Sequence, residues 1–405
     1  MSLKTHASKL LILLVAITGT RGGLQAQQTT IDSALYDRVA ELEKQVSYKK
    51  PGEDHFMVVG LTTFGFVSNK TTVTSGGASQ ISKTNSLADA DHYEFSPMLL
   101  WRHGKKFLLE FEPSFNGNSL GVNWADVSYF AAPGVIIRAG YLVIPFGFYN
   151  KRLAAGWINK LPTDPTGVAG NPPASDFGIE VEGGLPLGDM KWNYDISLTN
   201  GMQLLPDGEL QSAGITDNNK NKTITGRLGL LPFSNSSLEL GISGLFGAVG
   251  DDTSTSFKGV KTSMFAVDLN YVKLFNPVLV SVKGQYNYTH IDRTTYAKPT
   301  DGSNYSFDNN TSSYFTQVSV RPTGADSKLV KNLEAALRIG NFTTPRNSLW
   351  GQRSDLIEGG LLYWINWRTV LKFGYQYSKS DSRAVDDPGT RTVSKSLFLQ
   401  FSIQL

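Results

Sequence analysis

Apolar and polar residues alternate along most of this chain, and the carboxyl end shows the pattern most clearly. Large apolar residues stand two positions apart at Leu397, Leu399, Phe401, Ile403 and Leu405, with mostly polar residues between them. A period of two residues predicts a β-strand with one apolar face. A strand of this kind at the end of a chain is typical of the closing strand of an outer-membrane β-barrel, and the rest of the sequence can be tested against that idea.

Similar segments of about 9 to 11 residues recur along the chain, which is the length that a tilted strand needs to cross the hydrocarbon layer. Sixteen strands are predicted, at 56–66, 92–101, 106–115, 122–131, 134–144, 176–185, 190–200, 222–231, 237–248, 261–272, 278–290, 313–322, 329–340, 355–364, 367–379 and 392–405. The sequence therefore predicts an all-β chain.

The connections between these strands alternate in length. The short ones are 102–105, 132–133, 186–189, 232–236, 273–277, 323–328 and 365–366, and the long ones include 67–91, 145–175, 201–221 and 291–312. Bacterial outer-membrane barrels have short periplasmic turns, long external loops and an even number of strands. The pattern predicts a transmembrane antiparallel β-barrel of about 16 strands with both termini in the periplasm, and counts of fourteen or eighteen also fit.

The two faces of a strand can be assigned from residues 192–199. Trp192, Tyr194, Ile196 and Leu198 form an apolar face, with polar residues between them. A soluble β-sandwich would also alternate, but aromatic residues cluster at strand ends here, as they do at the membrane interfaces of barrels. These residues are Trp101, Tyr286, Tyr288, Trp364, Trp367, Tyr375 and Tyr377. The apolar faces are therefore expected to contact outer-membrane lipid.

The first residues predict export. Basic residues precede an apolar run from Leu10 to Ile17, and Ala26 offers a small residue at the cleavage point, so residues 1–26 have the layout of a signal peptide. The run is too short for a membrane-spanning helix, which needs about 20 apolar residues. The chain contains no cysteine, which suits a barrel because its closed hydrogen-bond ladder already constrains the strands.

Residues 27–52 are predicted to form a periplasmic amphipathic helix in front of a barrel that occupies residues 53–405. A heptad seam runs through four apolar residues, Leu35, Val39, Leu42 and Val46. About two heptads are marginal as an isolated coiled coil. The seam therefore fits either a coiled coil between three associated barrels or a single helix that lies on the barrel mouth.

Composition excludes several classes of function. Hydrophobic residues make up 40% of the chain, yet the mean hydropathy is −0.18, so the apolar residues are dispersed. A formal net charge of +3 is too small to indicate nucleic-acid binding. Glycine-rich nucleotide motifs are absent, and no cluster of histidines and carboxylates has the spacing of metal ligands, so no cofactor or metal is expected.

The segment 145–175 is predicted to be the functional loop, because it has about thirty residues without strand periodicity. A sixteen-stranded barrel leaves an aqueous channel, which an inward loop after the fifth strand would narrow. Three apolar residues are expected to anchor the loop to the wall: Trp157, Ile158 and Leu161. Three basic residues are expected to face the water: Lys151, Arg152 and Lys160. Alternatively, the loop is external and packs on its neighbours.

At this loop the chain resembles the phosphate-selective porin O and P family of Gram-negative bacteria. The resemblance rests on Gly140-Tyr141 followed by Pro145-Phe146-Gly147, within a chain that has a signal peptide, a short coiled coil and about sixteen strands. It implies a homotrimeric outer-membrane channel that conducts small hydrophilic solutes or anions past basic residues of its loop and wall.

The charges expected to face the lumen are mixed. The basic residues are Arg138, Arg227, Lys283, Arg321, Arg338 and Lys372. The acidic residues are Glu94, Glu110, Glu112, Asp126, Glu180, Glu182, Asp195, Glu239, Asp268, Glu334 and Glu358. Basic rings favour anions and acidic rings favour cations, so only the loop, with three basic residues against Asp164, favours anions. Arg138 and Arg227 are either solute-binding residues or partners of Glu180 and Glu182 in structural ion pairs.

The function predicted is passive diffusion of small hydrophilic solutes, with a preference for anions or phosphate. An enzyme is not expected, because hydrolysis needs a serine and a histidine held by an orienting side chain. The histidines after the signal peptide lie in no such motif: His55, His92, His103 and His290. The alternative is a structural or adhesive barrel with surface-binding loops and no open pore.

The terminal strand is expected to be recognised by the barrel-assembly machinery. Leu405→Asp places a charge at the end of its apolar face and should abolish insertion, measured as the folded fraction in isolated outer membranes. Leu405→Phe keeps a large apolar residue and should insert normally. Normal insertion of the Asp variant would show that the last residue is no part of the signal.

Overall fold

A computed structural model describes residues 54–87, 93–212, 214, 215, 220, 222–254 and 256–405. The predicted signal peptide at 1–26 and the predicted helix at 27–52 lie outside these residues, as does His92. In the part of the chain that is described, no helix is both long and apolar enough to cross a membrane.

Long antiparallel strands dominate the described chain. In chain order the strands are β1 (His55–Ser75), β2 (Ala78–Leu87), β3 (Glu94–His103), β4 (Phe107–Phe115), β5 (Leu120–Ala132), β6 (Val135–Val143), β7 (Ser175–Leu187), β8 (Met190–Thr199), β9 (Met202–Leu204), β10 (Leu210–Ser212), β11 (Thr223–Leu231), β12 (Leu238–Ala248), β13 (Lys261–Phe275), β14 (Val278–Ile291), β15 (Tyr296–Ala297), β16 (Asn304–Tyr305), β17 (Asn309–Arg321), β18 (Leu333–Thr343), β19 (Gln352–Asn366), β20 (Thr369–Arg383) and β21 (Pro388–Gln404). Two short helices are α1 (Tyr149–Arg152) and α2 (Lys328–Asn332).

The barrel closes because β1 pairs along both of its edges. One edge pairs with β3, up to Thr63 opposite Glu94, and the other pairs with β21, where Phe64 lies opposite Phe401. Around the rest of the ring each barrel strand pairs with the next one in sequence, with β8 beside β11 and β14 beside β17. A closed ring leaves no unpaired strand edge, which is the condition for a sheet to span lipid.

The prediction of a sixteen-stranded transmembrane barrel is confirmed. Each predicted strand overlaps one strand of the ring, and β2, β9, β10, β15 and β16 lie outside it. Three starts are displaced by four residues. The strand predicted at 329–340 begins later, at Leu333, because the residues before it form α2, whereas the strands predicted from 313 and 392 begin earlier, at Asn309 and Pro388.

The first external connection, predicted as a loop at 67–91, is largely a β-hairpin. β1 continues to Ser75, the chain turns at Gly76 and Gly77, and β2 returns to Leu87. The φ angles of the two glycines are 57° and 83°, as a two-residue hairpin turn requires. The sequence did not reveal this hairpin because β2 is exposed along almost its whole length, so it has no alternation of apolar and polar residues.

The side chains are arranged inside out relative to those of a soluble protein. In β8, Ile196 and Leu198 are 55% and 48% exposed, whereas Asp195 and Ser197 are 5% and 2% exposed. The apolar face therefore points to lipid and the polar face points into the lumen.

Six of the seven aromatic residues predicted at the membrane interfaces are 37% to 71% exposed on the outer surface. Trp364 is the exception, so its prediction was wrong. It is 8% exposed, and its Nε1 donates to Glu334 Oε2 at 2.8 Å. Trp364 lies two positions after Leu362 on β19, so the two side chains point to the same face of the strand, and this face is the one turned to the lumen.

The lipid-facing surface predicts a strong effect of charge at Ile242, which lies in the middle of β12 and is 54% exposed. Ile242→Lys should destabilise the inserted barrel by about 2–4 kcal/mol, because it places a charge in the hydrocarbon layer. Urea unfolding in lipid vesicles measures this change. Thr300→Lys, in an exposed external turn, is the control and should change stability by less than about 0.5 kcal/mol. Equal stabilities would contradict the assigned membrane face.

Candidate solute passage

The segment between β6 and β7, residues 144–174, crosses the barrel interior and is called the crossing loop below. Near its start, the backbone N–H of Phe148 donates to Gln285 Oε1 of β14 at 3.0 Å. Farther along, Thr163 Oγ1 donates to Glu358 Oε2 of β19 at 2.6 Å. Both acceptors lie on the inner face of the barrel, on strands distant from β6 and β7, so the loop lies within the lumen.

The Pro145-Phe146-Gly147 motif permits a close approach to the opposite wall. Gly147 has a φ of +66°, and a Cβ at this position would lie 2.0 Å from Gln285 Nε2. Its backbone N–H also donates to Ser243 Oγ of β12 at 3.0 Å. Glycine is therefore required both by the left-handed conformation and by the contact.

Two apolar clusters hold the crossing loop against the wall. The first joins four loop residues to Phe315 of β17: Phe148, Tyr149, Leu153 and Val168, with Ile158 packed against them. The second joins Leu161 to Ala336, Leu362, Trp364 and Val370. Ile158 and Leu161 thus anchor the loop. Trp157 is half-buried, and its Nε1 has no hydrogen-bond partner among the described residues.

Two glycines on the wall make room for the loop, and the sequence analysis missed them. A Cβ on Gly360 would lie 2.9 Å from Leu161 Cδ2, and a Cβ on Gly374 would lie 3.0 Å from Pro162 Cδ. An isolated glycine inside a strand often marks a close approach of another backbone or ligand. That signal was present in β19 and β20.

Lys151 does not face free water, contrary to the sequence-based expectation. Its Nζ contacts three carboxylates of the wall, Glu180 Oε1 at 2.5 Å, Glu182 Oε2 at 2.6 Å and Asp195 Oδ1 at 2.6 Å. Lys151 lies in the loop and not in a strand. Burial alone would lower its pKa, but the carboxylates, led by Glu180, outweigh burial and raise the pKa. Lys151 therefore supplies the positive charge within a cluster of three acids.

The other two basic residues of the loop are also paired, which corrects the same expectation. Arg152 Nη1 contacts Glu239 Oε1 at 2.6 Å. Lys160 Nζ contacts Glu334 Oε2 at 3.1 Å and lies 4.6 Å from the centre of the Trp364 ring. The reason is common to all three residues: the wall carries an excess of acids, and a charge that leaves bulk water needs a partner.

Arg138 and Arg227 form ion pairs on the wall, but mostly with partners other than those considered from the sequence. Arg138 Nη2 lies 2.8 Å from Glu110 Oε2 and 2.8 Å from Asp126 Oδ2, and only a 3.7 Å contact joins it to Glu182. Arg227 pairs with Glu239 and Asp268 at 3.1 Å and 2.6 Å. Of the acids predicted in the lumen, Glu112 has Asn123 Nδ2 as its donor at 2.8 Å.

Hydrogen bonds from the wall to side-chain and backbone oxygens of the loop complete the attachment. Arg338 donates to Asn159 Oδ1 and to the carbonyl oxygen of Thr163, each at 2.6 Å. Lys372 Nζ donates to the carbonyl oxygen of Gly156. These contacts were not predicted, because the polar residues of the loop give no sequence signal for their partners.

One side of the lumen is filled by apolar side chains. Ile144 and Phe146 of the crossing loop join residues of the external connections and of the inner faces of β12, β13 and β14: Met202, Leu204, Leu245, Val249, Val260, Met264, Ala266, Ile291, Tyr296 and Phe307. The space that remains for water is therefore displaced toward the opposite wall.

A cavity of about 640 Å³ lies between the crossing loop and the inner faces of β1, β20 and β21. Hydroxyl and amide groups supply most of its lining, including Thr63, Asn69, Thr163, Gln376, Ser396 and Gln400. The charged residues of the lining are Glu94, Asp164 and Lys372. The arrangement provides a polar cavity beside the crossing loop and contains no nucleophile–histidine pair among its lining residues.

The fold is shared with solved outer-membrane proteins, although no protein-family model and no curated protein matches the sequence. The outer-membrane channel DcaP of Acinetobacter baumannii has a TM-score of 0.55 at 12% identity, covering 88% of this chain and 99% of that one. The anion-selective porin from Comamonas acidovorans has a TM-score of 0.53 at 12% identity, covering 87% and 100%. OprB of Pseudomonas putida has a TM-score of 0.53 at 8% identity, covering 91% and 97%.

The chain has the fold of an outer-membrane porin. At these identities the similarity concerns the fold and not the solute. A closed barrel with an apolar outer surface and a polar interior is the form in which strands span the bacterial outer membrane. The protein therefore lies in the outer membrane of a Gram-negative bacterium.

The acid cluster around Lys151 predicts how firmly the crossing loop is held. Lys151→Met leaves three wall carboxylates without their shared cation and should lower the free energy of loop opening by about 3–5 kcal/mol. The rate of trypsin cleavage after Arg152 measures this opening. A variant that also carries Glu180→Gln, Glu182→Gln and Asp195→Asn is the control and should regain most of the protection. Wild-type protection in K151M would show that the cluster does not hold the loop.

Proposed function

We propose that the protein is a porin through which small hydrophilic solutes diffuse passively. The observation that carries the proposal is the polar cavity of about 640 Å³ between the crossing loop and β1, β20 and β21. Its hydroxyl and amide groups can replace part of the hydration of a passing solute, and weak contacts of this kind let the solute leave again.

In this proposal the crossing loop is the constriction. Apolar clusters and ion pairs fix it to the wall along its length, from Phe148 beside Phe315 to Lys160 beside Glu334. A fixed loop keeps the width of the passage constant, so the passage sorts solutes by size without a gating step. The homotrimer that the sequence resemblance implies is retained in the proposal.

The five basic residues that the sequence suggested as binding sites for anions or phosphate do not support such a preference. Lys151, Arg152, Lys160, Arg138 and Arg227 all pair with wall carboxylates, and each of the five has at least one contact of 3.1 Å or shorter. A paired cation contributes little net field to a solute at a distance. We therefore assign these five residues to the stability of the loop and wall rather than to solute binding.

Passive transport also fits the surroundings of two of the three described histidines, the third being His55 at the start of β1. His103 Nδ1 lies 2.8 Å from Asp54 at the periplasmic end of the barrel, and His290 Nδ1 lies 2.7 Å from Asn310. Neither residue has a serine as its hydrogen-bond partner, so neither forms the pair that a hydrolase needs.

The proposed passage predicts a steric block at Ala154, which is exposed and lines the cavity. Ala154→Trp should reduce single-channel conductance in a planar bilayer by roughly half or more. The reason is that a bulky hydrophobic side chain at a constriction excludes water and ions. Ala297→Trp makes the same change in an exposed external strand and should leave conductance unchanged.

Full conductance in A154W would place the passage elsewhere in the lumen. Absence of channels from folded wild-type protein would contradict the porin function, and a structural or adhesive barrel would then be the better interpretation.

A further inference from the structure

The accessible charges of the cavity are acidic. Asp164, on the crossing loop, is exposed, and no ion pair joins it to a basic residue in the described chain. Glu94, on β3, is half-buried and accepts hydrogen bonds from Ser96 Oγ at 2.5 Å and Ser114 Oγ at 3.4 Å. No described basic residue forms an ion pair with Glu94 either. Within the described residues, neither carboxylate of the cavity has an ion-pair partner, although Asp164 Oδ1 accepts hydrogen bonds from Tyr149 Oη at 2.5 Å and from Asn159 Nδ2 at 3.2 Å.

Three described basic residues of the lumen, Lys372, Lys283 and Arg321, form no ion pair with either of these two acids. Lys372 lines the cavity but is 1% exposed, and its Nζ is directed at the carbonyl oxygen of Gly156 and at Gln400 Oε1. Lys283 has no hydrogen bond or ion pair among the described residues, but it is 8% exposed and does not line the cavity. Arg321 donates to the carbonyl oxygen of Lys331 at the turn before β18.

The wall beside Glu94 is rich in carboxylates. Across β4 to β8, two cations, Arg138 and Lys151, contact five carboxylates: Glu110, Asp126, Glu180, Glu182 and Asp195. A sixth carboxylate, Glu112, has an amide donor instead of a cation. Asn123 Nδ2 links this group to Glu94, since it lies 2.8 Å from Glu112 Oε1 and 3.5 Å from Glu94 Oε1. Among the described residues, this part of the wall therefore holds more carboxylates than cations.

We infer that Glu94 and Asp164 are the selectivity-determining residues of the passage and that they make it prefer small cations over anions. Cations that pass the crossing loop exchange part of their hydration for carboxylate oxygens, whereas anions are repelled there. This inference rests on the proposed porin function and reverses the preference expected from the loop sequence.

The test is the reversal potential of single channels in a planar bilayer under a potassium chloride gradient. Wild-type protein should favour potassium over chloride. The double variant Glu94→Gln, Asp164→Asn removes both negative charges. It keeps the size of each side chain and an oxygen that can accept the same hydrogen bonds, so any change in selectivity is due to the lost charges. Each neutralisation should lower the potassium-to-chloride permeability ratio by roughly sevenfold, because a unit charge about 7 Å from an ion in water changes the potassium and the chloride terms by about threefold each, in opposite directions.

Asp308→Asn is the matched control, because Asp308 is an exposed acid of an external segment outside the cavity. It should leave the permeability ratio unchanged. A wild-type preference for chloride, or a potassium preference that survives in the double variant, overturns the inference while leaving a working porin. Absence of channels in the wild type overturns the porin function itself, so the two failures are distinguishable.

Discussion

The closed hydrogen-bond ladder between β1 and β21 is the constraint on which the rest of the structure depends. In lipid, backbone groups have no water to bind, so a sheet must close on itself or expose an unsatisfied edge. Closure also fixes the two faces of every strand. Because apolar side chains must cover the outside, as Ile196 and Leu198 do, the polar side chains are all collected in the lumen.

Collecting the charges in a narrow space makes their pairing a condition of stability. A carboxylate that is removed from bulk water needs a cation or hydrogen-bond donors. The crossing loop brings cations to the wall at Lys151, Arg152 and Lys160, whose partners belong to β7, β8, β12 and β18. The loop is thus held by the wall, and in the same contacts it stabilises the acids of the wall.

Period-two alternation revealed the sixteen strands because membrane strands need one continuous apolar face, and it failed where that face is absent. β2 of the first hairpin is exposed on both faces, and Trp364 faces the lumen although tryptophan usually marks the interface. The site was harder to predict than the fold. Lys160 and Glu334 are 174 residues apart, and nothing local indicates that they meet. The glycines at 360 and 374 were the available signal for the path of the loop.

The ion preference of such a channel follows from the charges that remain unpaired, and a count of charged residues does not reveal them. The sequence of the crossing loop is basic, yet its three cations are held in ion pairs, and the charge that it presents to the cavity is that of Asp164. A residue that fixes the constriction must be bound tightly, whereas a residue that guides ions must remain available to them. Because one side chain cannot fully satisfy both requirements, the basic residues of this loop fix the passage and its exposed acid is left to select among solutes.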